Sequence, residues 1–101
     1  QYRKSWNNVD TIRAMCDDYR AAIHLDWDLD KKDQNRCLGV PACVMWGKTG
    51  AMAKHYDVPA TWRKTFSNIE KKPMTGGHFF PDQYPQETVS ALASFICNNI
   101  D

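Results

Sequence analysis

The sequence predicts an α/β fold with parallel strands, on three observations. Val40 to Trp46 is an unbroken apolar run closed by Gly47, the pattern of a strand covered on both faces. Helical periodicity follows at Val58, Trp62 and Phe66, and a short second strand then runs through Met74. A second helix from Pro85 to about Asn98 carries Val89, Leu92, Ala93 and Ile96 on one face. The order strand, helix, strand, helix builds a parallel sheet through crossover helices.

The elements are justified in turn. Asn8 is placed to cap a first helix bearing Val9, Ile12, Cys16 and Tyr19, with Asp10 near its positive end, and this helix is expected to end near Ala22. Asp26 to Arg36 is charged with few apolar anchors, which predicts an exposed short helix or connector. Pro41 suits only the start of the first strand, because it has no N–H to give to a ladder. Asp57 is placed to cap the next helix, and Pro85 is a good first residue for the last one. Two parallel strands alone make a poor sheet, so the chain is read as wanting neighbouring strands from outside it. It begins at Gln1 within a helical pattern, and is accordingly read as a piece of a longer protein. Left alone, it is expected to expose Val44, Trp46, Leu92 and Ile96 to water.

Composition narrows the function. Thirteen basic and twelve acidic residues leave a net charge of +1 over 101 residues, with no basic stripe to displace counterions from a nucleic acid. The longest apolar run is far too short to span a bilayer, so no membrane partner is expected. Cys16, Cys37, Cys43 and Cys97 form no C-x-x-C pair, which argues for free thiols, a reducing cytoplasm and no metal site. Cys43 and Cys97 fall in apolar patterns and are expected to be buried and inert. No cofactor motif is present. Gly47-Lys48-Thr49 after a strand looks like the end of a phosphate-binding loop, but the glycine required five residues earlier is Ala42.

His78 is the candidate for chemistry. It follows Gly76-Gly77 between the second strand and the last helix, and Gly77 is expected to allow the sharp turn that places the ring at the rim of the sheet. Ligands of open α/β sheets meet the carboxyl ends of the strands, and α/β hydrolases carry their base in this order of elements. His24 and His55 lack that context and read as surface residues. Tyr19, Trp46 and Trp62 read by pattern alone as packing residues, and Asp82 as a loop or pre-helix acid.

Three segments together resemble the haloacetate (fluoroacetate) dehalogenase family of α/β hydrolases: Met15-Cys16-Asp17-Asp18-Tyr19-Arg20-Ala21, Val44-Met45-Trp46-Gly47-Lys48-Thr49-Gly50, and Gly77-His78-Phe79-Phe80-Pro81 with Pro85 and Glu87. Tyr56-Asp57-Val58 and Thr61-Trp62-Arg63 extend the match. The resemblance implies the C-terminal part of such a fold, with the end of a helical cap over residues 1–36 and the last core strands and helices over 37–101. It makes His78 the base that activates water against an aspartyl ester, and Tyr19 a ligand of the departing halide. The implied partners are a small haloacid, water and the remainder of the hydrolase core, and the resemblance leaves room for a homodimer. The nucleophilic aspartate would lie outside the chain, which is therefore expected to be inactive by itself. Gly50 stands where many hydrolases of this fold carry the triad acid, which agrees with a family that supplies the acid after an earlier strand. Ala22, Trp27 and Leu29 depart from the family pattern. An epoxide hydrolase or esterase of the same fold, and a non-catalytic hydrolase-like binding module, remain alternatives.

Overall fold

A computed structural model describes residues 2–99. The chain divides into two compact units, Gln1–Asn35 and Arg36–Asp101.

The first unit is helical: α1 (Tyr2–Trp6), α2 (Val9–Ala21), a π-helical segment (Ala22–Asp26) and α3 (Trp27–Asp33). Asn8 caps α2 as expected, its side-chain oxygen accepting from the N–H groups of Asp10 at 2.9 Å and Thr11 at 3.4 Å. The helix does not end near Ala22, however. Ala22 N–H reaches back to the carbonyls of both Asp18 and Tyr19, and the chain continues through a π turn into α3. No glycine or proline lies between Ala21 and Asp33 to stop it. α3 is the exposed short helix predicted for the charged stretch, with Lys31 Nζ 5.1 Å from the Trp27 ring.

The second unit contains β1 (Ala42–Gly47), α4 (Ala51–His55), α5 (Val58–Trp62), β2 (Ile69–Met74), α6 (Phe80–Gln83) and α7 (Pro85–Asn99). β1 and β2 are parallel, pairing Ala42 with Ile69 through to Gly47 with Met74. β1 begins two residues later than the apolar run, since Pro41 cannot donate to the ladder. Pro73 is accommodated because β2 is an edge strand among the described residues. Asp57 caps α5 by accepting from Ala60 N–H at 3.0 Å. α5 stops at Trp62 rather than running on to Phe66. Phe66 bridges Leu38 instead, with Leu38 N–H donating to Thr65 and Ser67 N–H donating to Leu38. The four-residue spacing still brings the Trp62 and Phe66 rings to 6.2 Å. The sequence pattern predicts a glycine-bearing loop between β1 and α5, where the chain instead forms α4, and α7 matches its predicted span within a residue.

The core is small. Val44 and Met74 are its buried apolar side chains, at 7% and 3% exposure. Val44 is thus shielded, contrary to expectation, because α5 and β2 pack around β1. Leu92 and Ile96 do face solvent, at 40% and 47%. Cys97 is exposed rather than buried, lying on the outer side of α7, and Cys43 is only half-buried on β1. Burial, and then the Glu70 carboxylate beside it, push the Cys43 thiol above its ordinary range. The thiolate is the reactive form, so Cys43 should alkylate more slowly than Cys16, Cys37 and Cys97 at pH 8 and catch up only as pH rises. Peptide mapping after timed iodoacetamide treatment measures this order, and equal labelling at pH 8 would contradict it.

Candidate active site

His78 stands in the turn that follows β2, at the carboxyl ends of both strands. The turn is tied to its surroundings by backbone and side-chain hydrogen bonds. Lys48 N–H donates to Met74 at 2.9 Å and Thr49 N–H to Gly76 at 3.0 Å, so the loop leaving β1 continues the ladder along the turn. From the other side, Gln83 Oε1 accepts from Gly77 N–H and Glu87 Oε1 from Thr75 N–H, each at 3.1 Å. Phe80 N–H then donates to Gly77 and starts α6 immediately after the histidine.

Glycines make this approach feasible, but not in the way the sequence suggests. Gly76, at φ +97°, takes the left-handed conformation that was expected of Gly77. A side chain on Gly76 would also strike Gln83 Oε1 and the Tyr84 ring, at 2.6 and 2.8 Å from its Cβ. Gly47 is needed for closeness rather than dihedral freedom, since a Cβ there would sit 1.9 Å from the Gly77 carbonyl oxygen. Gly50 lies beside the histidine as well, and a Cβ on it would stand 3.2 Å from the His78 backbone nitrogen.

The imidazole is exposed and contributes to the wall of a cleft of about 490 Å³. Met45 and Trp46 from β1, Met52 from α4, and Val58 and Trp62 from α5 form much of the remaining wall. No lysine or arginine lines it. Phe79 packs edge-on against the His78 ring, with centroids 5.0 Å apart. The cleft sets an imidazole among apolar walls, with no cation in its lining to clamp a carboxylate. Among the described residues no group of three or more His, Cys, Asp or Glu could hold a metal ion, and no helix is long and apolar enough to cross a membrane.

Tyr19 belongs to the first unit. It is 73% exposed on α2, so it is not the core residue that its periodicity suggested. Together with Trp6, Ile12, Met15 and Cys16 it lines an open apolar groove. Trp62 is likewise a wall of the cleft at 46% exposure rather than a buried packing residue, while His24 and His55 are exposed as expected. Sequence reasoning missed Gln83 and Glu87 as supports of the turn. Their signal is weak, because an acceptor 6 or 12 residues from its donor across a helix start has no periodicity to announce it.

No family model matches the chain. In sequence it is 34% identical over 96 residues to a fluoroacetate dehalogenase from a Burkholderia species, a match covering 95% of this chain and 32% of that protein. In structure it matches a proposed α/β hydrolase from Nostoc sp PCC 7120 with a TM-score of 0.81 and 37% identity, covering 85% of this chain and 30% of that one. The chain carries a portion of the α/β-hydrolase fold. A Salmonella enterica protein named for a proposed acyltransferase activity is also similar, with a TM-score of 0.85 and 30% identity over 92% of this chain and 31% of that protein. The chain thus spans about a third of the length of the relatives it matches. The His78 turn lies at the carboxyl ends of the parallel strands β1 and β2.

Proposed function

We propose that this chain is the base-bearing portion of a hydrolytic dehalogenase acting on haloacetate-like acids, with His78 as the base that activates water. The observation that carries the proposal is the position of His78, held at the strand ends and open to an apolar cleft. The 34% identity to a fluoroacetate dehalogenase directs the choice of substrate class.

In this reading a carboxylate nucleophile from outside the 101 residues displaces halide and leaves an ester. His78 then removes a proton from water as the water oxygen attacks the ester carbonyl. Collapse of the adduct breaks the acyl C–O bond, the imidazolium returns its proton to the departing hydroxy acid, and the carboxylic acid left on the enzyme ionises to solvent, regenerating the carboxylate and neutral imidazole. The apolar walls favour this by keeping competing water scarce around the reacting group. The carboxylate-binding cations and the triad acid also come from the rest of the hydrolase core, since the cleft supplies neither. The likeness to a fluoroacetate dehalogenase assigns residues 1–36 to the end of the cap and gives Tyr19 the role of a donor to the leaving halide. Four free cysteines suit a cytoplasmic setting.

An epoxide hydrolase or esterase would use the same base on a different electrophile. Fluoride release from fluoroacetate, compared with diol formation from a simple epoxide and acid release from a short ester, separates these in the complete enzyme. Fluoride release should dominate, and Tyr19→Phe should lower it roughly 100- to 1,000-fold, the scale of one lost donor to developing charge. Turnover of the epoxide or ester alone would replace the dehalogenase reading. The isolated chain should release no fluoride.

A further inference from the structure

The residue pair that ties the His78 turn to the C-terminal helices has a role that neither the resemblance nor the sequence pattern assigns. The peptide just before His78 is held at both ends of Gly77. Gly77 N–H donates to Gln83 Oε1 at 3.1 Å, and Gly77 C=O accepts from Phe80 N–H at 3.1 Å. Gln83 is the last residue of α6, and its own N–H donates to Phe79 at 3.0 Å, so His78 and Phe79 are spanned by one closed loop of hydrogen bonds. One turn further along, Glu87 holds Thr75 N–H. Gly76, between the two anchored amides, has no side chain to restrict its rotation. Thr49 N–H holds the carbonyl of the Gly76–Gly77 peptide at 3.0 Å, and the side-chain acceptor on Gln83 holds the N–H of that same peptide from the opposite side. Gln83 is itself exposed, so packing does not account for its part in this loop.

We infer that Gln83 is a positioning residue for the base: by holding the Gly77 N–H it fixes the turn one peptide before His78, whose imidazole lines the cleft. Glu87 supports the same turn from α7. The inference rests on His78 being the water-activating base, and it assigns to an exposed amide the alignment of the ester-hydrolysis step.

The test compares Gln83→Met, which keeps length and removes the acceptor, with Gln83→Glu, which keeps an acceptor oxygen, and uses His78→Ala as the control. In the complete enzyme, Gln83→Met should leave the halide burst unchanged and slow ester hydrolysis roughly 10- to 100-fold, as expected for a misaligned base. Gln83→Glu should recover most of that loss. In the 101-residue chain, the Gly77 amide should exchange with solvent roughly tenfold faster in Gln83→Met than in Gln83→Glu. If His78→Ala slows ester hydrolysis and Gln83→Met does not, the positioning role is overturned while the base assignment stands. If His78→Ala has no effect, the base assignment falls, and Gly77 exchange then decides whether Gln83 anchors the turn. Identical exchange in the two Gln83 variants would overturn the anchor itself.

Discussion

His78→Ala in the complete enzyme should convert a turning-over catalyst into one that releases a single equivalent of halide and stops. The displacement that expels halide uses a carboxylate nucleophile and needs no proton transfer to His78, so the burst survives. The second step requires a water made nucleophilic as it attacks, and loss of a positioned base costs about 10²- to 10⁴-fold. The ester therefore accumulates, and intact-protein mass spectrometry should find the enzyme heavier by the acyl group. The cleft walls, which include Met45, Trp46 and Trp62, offer no other imidazole or carboxylate to take over the role. Steady-state turnover at the parent rate, with no ester detected, would remove His78 from the mechanism.

Gly47→Ala should be nearly as damaging, although the residue carries no functional group. The added methyl would lie 1.9 Å from the Gly77 oxygen, 2.5 Å from the Gly77 carbonyl carbon and 2.7 Å from the Gly76 oxygen. All three are backbone atoms, so no side chain can swing aside, and the turn must move by about 1 Å or more to reach ordinary contact distance. Gly47 is buried at the end of β1, opposite Met74, which is itself at 3% exposure. Retreat in that direction disturbs one of the two buried apolar side chains of the unit. Overpacking of this kind costs about 1–3 kcal/mol, and a displacement of the base on this scale about 100-fold in rate. Thermal unfolding together with steady-state halide release after the burst should show both losses. An unchanged melting temperature with parent activity would mean that the turn yields freely, contrary to its anchoring by Thr49, Gln83 and Glu87.

These two variants probe the site from opposite sides of what sequence reasoning can reach. His78 is conspicuous from its glycine-flanked place between strand and helix. Gly47 looked like no more than the residue closing an apolar run. The contact that makes it irreplaceable by alanine lies 30 positions away in the chain, at Gly77. The same division separates Gly76 from Gly77. Two adjacent glycines advertise a turn, but the one that bears the left-handed φ is decided by where the β1 loop and α6 take hold of the backbone, through Thr49 N–H on Gly76 and Gln83 on Gly77.

What the sequence by itself determined is the set of features governed by near neighbours: the α/β class, the caps at Asn8 and Asp57, the span of α7 and the placement of His78 after the second strand. Each depends on residues within a turn or two, where propensity and capping act directly. Only the tertiary structure decided the features that depend on distant partners. Phe66 left its helical spacing to bridge Leu38, Val44 was covered by α5 and β2, and the turn bearing His78 was tied down by Gln83 and Glu87. The physical reason is that a hydrogen bond or close contact between segments is set by where each segment's own packing delivers it, and no local pattern of side chains records that meeting point.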